Sequence, residues 1–209
     1  ESEDYQNALE LIKDGIKEEK KVNLGTICKW QEYELKVYQK LDDDENIIRL
    51  VLHFMTGQSS GSESLKEYYG ILKSKIPADS WKEYLEKNVI SVLLGSKWVD
   101  YDALVYLFIW EKEKDRYLEL LKKNLTLNRI ERAEKDLGKG YCKQLVELYD
   151  VEIRTFIAAN MGRSYYKEAC RYIQRMKKLD DGQGANQLME DLRKQYKNRK
   201  ALLEELSRV

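Results

Sequence analysis

Basic side chains near the end of the chain recur at helical spacing and are the pattern most typical of a binding surface. Arg163, Lys167, Arg171 and Arg175 follow one another at intervals of four, and Lys178 continues the row. In an α-helix this spacing places the five side chains along one side, which we call the basic ridge. Such a ridge can bind nucleic-acid phosphates or an acidic protein, or it can be a solvated outer face.

Charge is unevenly distributed along the chain. The whole sequence has 37 basic and 37 acidic residues, a balance that by itself points to no nucleic-acid or membrane partner. From Arg163 to the last residue, however, twelve basic residues face seven acidic ones, a net charge of +5. The basic ridge therefore lies in a part of the chain that has an excess of positive charge.

The residue types that usually carry catalysis are scarce. His53 is the only histidine and lies in an apolar run, which favours a core or interface position, because acid–base chemistry needs an oriented partner. Cys28, Cys142 and Cys170 are far apart, odd in number and without CxxC spacing, as expected of buried, reduced thiols in a cytoplasmic protein. A Cys28–His53 pair in space would be needed for a nucleophilic site, and we predict no enzymatic activity.

Glycine and acidic clusters also indicate local structure rather than ligand binding. The pairs in Gly138–Gly140 and Gly182–Gly184 fit neither a P-loop nor a dinucleotide-binding loop, and we interpret these glycines as helix C-terminal residues. Asp180–Gly182 is similar to the start of a calcium loop, but the later ligands of such a loop are missing. Neighbouring acids such as Glu204 and Glu205 are expected on solvated helix faces. The sequence predicts no cofactor and no metal site.

Amphipathic helices are the elements that must position these residues. The chain contains one proline, 35% charged and 43% hydrophobic residues, and apolar side chains recur near a spacing of 3.6. Thr26 is predicted to cap the second helix, and the acids of 42–45 are predicted to begin the third. Residues 57–63 form the clearest predicted loop. The apolar side chains of the first three predicted helices span 5–16, 27–41 and 47–55, the fourth helix covers about 64–75, and the fifth runs from 79 or 80 through 93. The later predicted helices cover about 100–112, 114–124, 127–137, 141–161, 164–179, 185–196 and 199–207.

A weak internal repeat suggests how these helices pack. At an offset of 49 residues, segment 104–121 matches segment 153–170, with Tyr117 aligned to Tyr166 and apolar residues aligned elsewhere. Each segment is an apolar helix end, a short break and a second helix, which is typical of tetratricopeptide-like pairs. Because one pair cannot bury both its faces, we predict a right-handed α-solenoid of antiparallel helix pairs in a single domain, 1–209. The chain starts at Glu1 inside a predicted helix, so we expect a C-terminal fragment of a longer protein.

The last fifty residues carry a family resemblance. They read MGRSYYKEACRYIQRMKKL over 161–179, LMEDLRKQY over 188–196 and RKALLEEL over 199–206. This region, about a quarter of the chain, resembles the C-terminal helical region of bacterial SWIM zinc-finger proteins. The CxC…CxH zinc finger itself is absent, so no metal ligand is carried over. The resemblance implies a helical accessory region that binds partners, and no activity.

Two functional hypotheses follow from these features. The first is a non-enzymatic protein-interaction module, an α-solenoid whose groove binds a protein or peptide. The alternative is an accessory domain of a nucleic-acid-associated zinc-finger protein that uses the basic ridge. No apolar run approaches the ~20 residues of a membrane helix, so we expect no membrane partner and a cytoplasmic location. The sequence leaves the oligomeric state and the ligand open.

Overall fold

All the regular secondary structure of the described residues is helical. A computed structural model describes residues 2–19, 24–57, 62–97 and 99–209 of the chain. Most of these residues are helical and none of them forms a strand, which confirms the all-α prediction. Within the described ranges, no helix combines the length and the apolar character needed to cross a membrane. The right-handed solenoid arrangement stays a prediction.

The chain divides into two compact units, which we describe separately. Unit 1 covers Glu1–Tyr106 and unit 2 covers Leu107–Val209, and helix α7 crosses this boundary. The single domain 1–209 therefore also stays a prediction. The helices are α1 (Ser2–Glu19), α2 (Leu24–Leu41), α3 (Asp44–Thr56), α4 (Ser62–Lys75), α5 (Trp81–Leu85), a π-helical segment (Glu86–Ile90), α6 (Ser91–Gly95), α7 (Tyr101–Trp110), α8 (Lys114–Lys123), α9 (Leu127–Leu137), a 3₁₀ turn (Lys139–Tyr141), α10 (Cys142–Ala159), α11 (Arg163–Lys177), α12 (Gln183–Gln195) and α13 (Lys200–Leu206).

Unit 1 contains two packed helix pairs, α1 with α2 and α3 with α4. In the first pair the indole of Trp30 lies against Gly15, where a Cβ atom would come within 2.7 Å of the ring. In the second pair the rings of Phe54 and Tyr68 stack with centroids 4.8 Å apart. The carboxylate of Asp43 accepts a hydrogen bond from the backbone amide of Asn46, which confirms that the acidic run begins α3.

Two details of unit 1 differ from the sequence predictions. Thr26 does not cap α2, because α2 already begins at Leu24. A glycine at position 25 costs a helix about 1 kcal/mol, which packing of α2 along α1 outweighs. His53 was predicted to occupy a core or interface position. It is exposed on the solvent side of α3, so the core alternative is wrong, and the interface alternative stays a prediction. The buried residues of α3 are Ile47, Leu50, Val51, Phe54 and Met55.

The predicted fifth helix is interrupted by one wider turn. The i→i+5 segment Glu86–Ile90 separates α5 from α6, and both flanking helices keep helical backbone angles. Hydrophobic spacing cannot reveal this segment, since a single π turn shifts the apolar stripe by less than one residue.

Unit 2 is arranged around α11, which packs against α10, α12 and α13, while α9 packs against α10. Tyr149 of α10 and Tyr172 of α11 are fully buried in its core. Tyr117 and Tyr166, the aligned tyrosines of the proposed repeat, are both buried at the fourth position of their helices. The two positions are thus locally equivalent, whereas the repeat architecture itself stays a prediction.

The glycine interpretation holds for Gly138 alone. Gly140 lies in the 3₁₀ turn Lys139–Tyr141, and the interpretation fails for the second loop. Gly138 ends α9 with φ of 75°, which confirms it as a helix C-terminal residue. Gly182 instead precedes α12, five positions beyond the end of α11, so its assignment as a C-terminal residue is wrong. The physical reason is the Asp180 carboxylate, which accepts hydrogen bonds from the amides of Gly182 (3.1 Å) and Gly184 (2.7 Å) and so organises the start of α12.

Candidate functional site

The basic ridge lies on α11, with Lys178 directly after the last helical residue. Arg163, Lys167, Arg171 and Lys178 are exposed and Arg175 is half-buried. A ridge made only of solvated cations would present five positive charges to a ligand. How many of these charges are available depends on the carboxylates that other helices bring to α11.

Two arginines in the middle of the ridge are paired with α9. The guanidinium of Arg171 lies 2.9 Å from a carboxylate oxygen of Glu131, and it also stacks 4.1 Å above the ring of Tyr172. Arg175 lies 3.2 Å from Glu131 and 2.7 Å from Glu134. These carboxylates balance both arginine charges, so this part of the ridge joins α11 to α9.

Glu134 is the centre of a wider polar network. Its carboxylate accepts hydrogen bonds from the Tyr149 hydroxyl (2.5 Å) and from the Arg175 guanidinium. The hydrogen bond to Glu134 raises the pKa of Arg175, and burial, followed by the same carboxylate, raises the pKa of Tyr149. Nearby, the Tyr172 hydroxyl donates to the side-chain oxygen of Asn128 at 2.5 Å. The network therefore connects α9 to both α10 and α11.

The first residue of the ridge is also paired, with α13. Arg163 donates a hydrogen bond to Glu204 and lies 3.7 Å from Glu205. Glu205 is only 4% exposed and has a second cation, Arg208, at 3.1 Å. Burial, and then the charge of Glu205, raises the pKa of the Cys170 thiol to about 11. The ion pairs of Arg163 therefore join the start of α11 to α13, the last helix of unit 2.

Two ridge lysines remain without a carboxylate partner among the described residues, Lys167 and Lys178. Lys178 borders an open cavity of about 350 Å³ between α9, α10 and α11. Lys135 and Lys139 lie at the same cavity, together with Arg175 and the two glutamates that pair with it. The cavity therefore has more cationic than anionic groups, and its lysines are its uncompensated charges.

Unit 1 contains a different kind of surface, an apolar groove between α1 and α2. The groove encloses about 440 Å³, and we call it the α1–α2 groove. Leu11 is 70% exposed and Tyr33 56% exposed, both unusual for large apolar side chains. The remaining groove residues are Tyr5, Ala8, Ile12, Trp30, Val37, Lys36 and Lys40.

Apolar spacing alone does not reveal this groove, because it does not distinguish the side chains of α1 that a neighbouring helix covers from those that stay exposed. Leu9 and Ile12 are buried, but Leu11 lies on another side of the helix and is exposed. A signal was present: Leu11 and Ile12 are consecutive, so the apolar arc of α1 is wider than one helix–helix contact requires.

No cluster of metal ligands is assembled among the described residues. No group of three or more histidine, cysteine, aspartate or glutamate side chains is close enough there to hold a metal ion. No disulfide joins the three cysteines, all of which are described: Cys170 is buried, as predicted, whereas Cys28 and Cys142 are half-buried. Cys142 lies at the cavity beside Lys178, with no imidazole among the cavity residues.

Comparison with known proteins adds no assignment. No protein-family model, no curated protein and no solved structure matches the chain. The resemblance of the last fifty residues to SWIM zinc-finger proteins therefore stays a prediction.

Proposed function

We propose that the chain is a non-enzymatic protein-interaction module that binds an amphipathic helix in the α1–α2 groove. The observation that carries the proposal is the exposure of Leu11 and Tyr33 on an apolar surface bordered by charge. Helix-in-groove recognition uses this combination: apolar residues at i, i+3 or i+4 and i+7 fill the groove, and flanking charges set the orientation.

The charges at the groove indicate which helix fits it. Lys36 and Lys40 are four residues apart on α2, and both line the groove. The ammonium group of Lys36 lies 5.5 Å above the ring of Tyr33, so the basic edge adjoins the apolar floor. A helix with an apolar stripe and an acidic edge beside it would bury Leu11 and Tyr33 and pair with these lysines.

A designed helical peptide tests the proposal. The probe is a fluorescent 18-residue amphipathic helix with leucines at i, i+3 and i+7 and glutamates along one edge, and binding is measured by fluorescence anisotropy. Leu11→Glu should weaken binding at least about tenfold, because it places a charge in the apolar floor. Val151→Glu is the matched control, since Val151 is a 55% exposed apolar residue on α10 of unit 2. Equal binding by both variants, or no binding by the unaltered chain, would remove the groove from consideration.

The second candidate function is binding of nucleic-acid phosphates at the C-terminal end of the basic ridge. The cationic cavity favours it, with Lys135, Lys139 and Lys178 uncompensated. Lys139→Glu combined with Lys178→Glu should abolish binding of a labelled single-stranded oligonucleotide, and binding by the unaltered chain should fall steeply with salt. Lys167→Glu, further along the same ridge, distinguishes binding at the cavity alone from binding to a surface that covers all of α11. If oligonucleotide binding changes neither with salt concentration nor with the double substitution, this candidate is contradicted.

A further inference from the structure

The two edges of the α1–α2 groove carry opposite charges. On α1, Asp4 and Glu18 lie seven residues before and after Leu11, a spacing that places all three on one edge of the helix. On α2, Lys29 and Lys36 are also seven residues apart, and Lys40 is one turn further on. All five charged side chains are exposed. The groove thus has an acidic edge on α1 and a basic edge on α2.

The register of the helix pair aligns these charges end to end. Tyr5 and Lys40 line the same groove, and Gly15 lies against Trp30, so α1 and α2 run antiparallel. Asp4 is accordingly at the same end as Lys40. Glu18 and Lys29 are at the opposite end. Each end of the groove therefore has one acidic and one basic group, on different helices.

We propose that the helix pair seated on this groove is the α1–α2 pair of a second copy of the chain. This proposal rests on the proposed function and names the partner. A two-fold axis parallel to the helices and lying in the interface places α1 of each copy over α2 of the other. Asp4 then faces the Lys40 of the second copy, and Glu18 faces its Lys29. The result is a symmetric four-helix bundle that covers Leu11 and Tyr33 on both copies.

Charge also selects between the two symmetric ways of joining these faces. A two-fold axis across the helices would place α1 over α1 and bring the two acidic edges together, while the basic edges would meet on α2. Like charges facing each other are unfavourable, whereas the parallel axis brings Asp4 to Lys40 and Glu18 to Lys29. The same face is thus self-complementary in only one of the two arrangements.

The size of the face sets the strength that we expect. Eighteen residues at 1.5 Å each make a face about 27 Å long, and two adjacent helices make it about 20 Å wide. Two copies would bury on the order of 1,000 Å² in total, which is the lower end for specific interfaces. We therefore expect a reversible dimer with a dissociation constant on the order of 10 µM.

Sedimentation equilibrium of the whole chain tests the proposal. The apparent mass should rise with concentration from 24.8 kDa toward twice that value. Leu11→Glu should keep the chain monomeric, whereas the control Val151→Glu should dimerise normally. Lys29→Glu with Lys40→Glu should weaken the dimer about tenfold, because each reversed charge occurs at two symmetry-related contacts of the dimer. Adding Asp4→Lys and Glu18→Lys to that variant should restore dimerisation, with circular dichroism confirming that every variant is folded.

Each result has a distinct meaning. A chain that stays monomeric at about 200 µM, well above the expected dissociation constant, overturns the dimer. If that monomer still binds the designed peptide through Leu11, the proposed function survives with a different partner; if it binds no peptide, both fail. A dimer that survives Leu11→Glu, or that the added lysines do not restore, overturns the assignment of this face and of its orientation.

Discussion

Replacing Glu134 by alanine should destabilise unit 2 far more than an ordinary helix-surface substitution. The Glu134 side chain is 16% exposed and joins three helices, since it accepts hydrogen bonds from Tyr149 on α10 and from Arg175 on α11. The neighbouring Glu131 is one turn earlier on the same helix and pairs with Arg171 and Arg175. Glu131→Ala is therefore a matched control that removes a carboxylate from the same surface.

The two substitutions differ in what they leave behind. Glu134→Ala leaves the hydroxyl of the fully buried Tyr149 without its acceptor, at a cost of about 1–3 kcal/mol. It also removes one partner of the Arg175 guanidinium, which is 34% exposed and keeps Glu131, so this part adds up to ~1 kcal/mol. We expect a total of about 3 kcal/mol. Glu131→Ala strands no buried group and should cost about 0.5–1 kcal/mol.

Urea denaturation followed by circular dichroism measures the difference. With a denaturant dependence of about 2 kcal/mol/M, Glu134→Ala should lower the unfolding midpoint by about 1.5 M, and Glu131→Ala by at most ~0.5 M. Hydrogen exchange of the α10 amides gives a local readout, because Tyr149 lies in the middle of that helix.

A second substitution distinguishes two contributions to the loss of stability: the Tyr149 hydroxyl left without an acceptor, and the lost ion pair of Arg175. Tyr149→Phe alone should cost about 1 kcal/mol, but in the Glu134→Ala background it should restore ~1–2 kcal/mol, because the hydroxyl without an acceptor is gone. If Tyr149→Phe restores nothing there, or if the two glutamate substitutions cost the same, the assigned role of Glu134 is refuted.

Three further substitutions or reactions test local features. Gly15→Ala should lower the melting temperature, because its Cβ atom would come within 2.7 Å of the Trp30 indole and the displacement outweighs the ~1 kcal/mol gain in helix propensity; an unchanged or higher value would contradict this close packing. Gly138→Ala should cost about 1–3 kcal/mol at φ of 75°, whereas Gly140→Ala in the same loop, with open space around it, should be neutral within ~0.5 kcal/mol by thermal melting. The Cys170 thiol should react with iodoacetamide at pH 8 about 100-fold more slowly than a thiol of pKa 9.0, since its pKa of about 11 lowers the thiolate fraction by that factor; the rate, followed by mass spectrometry, should rise with pH up to about 11.

The helices themselves were predictable because each depends mainly on local spacing. The predicted helix 127–137 coincides with α9, and the predicted helix 114–124 differs from α8 by one residue. Errors arose where a distant or unexpected group decided the boundary. Because α2 packs along α1, it includes Gly25 and begins before the predicted cap at Thr26. The Asp180 carboxylate accepts a hydrogen bond from the Gly182 amide and so places this glycine at the start of α12. Neither interaction follows from hydrophobic periodicity.

The sequence by itself determined that the protein is all-α and that the four ridge arginines and lysines from Arg163 to Arg175 share one side of a helix, because both properties depend on contacts within about four residues. Only the tertiary structure decided which ridge charges remain uncompensated. Glu131 lies forty residues before Arg171, and packing of α9 and α13 beside α11 neutralises three of the five cations while leaving Lys167 and Lys178 exposed. Packing likewise decided that Leu11 lies on an open groove while Leu9 and Ile12 are buried, since one apolar helix face can be covered by only one neighbouring helix at a time.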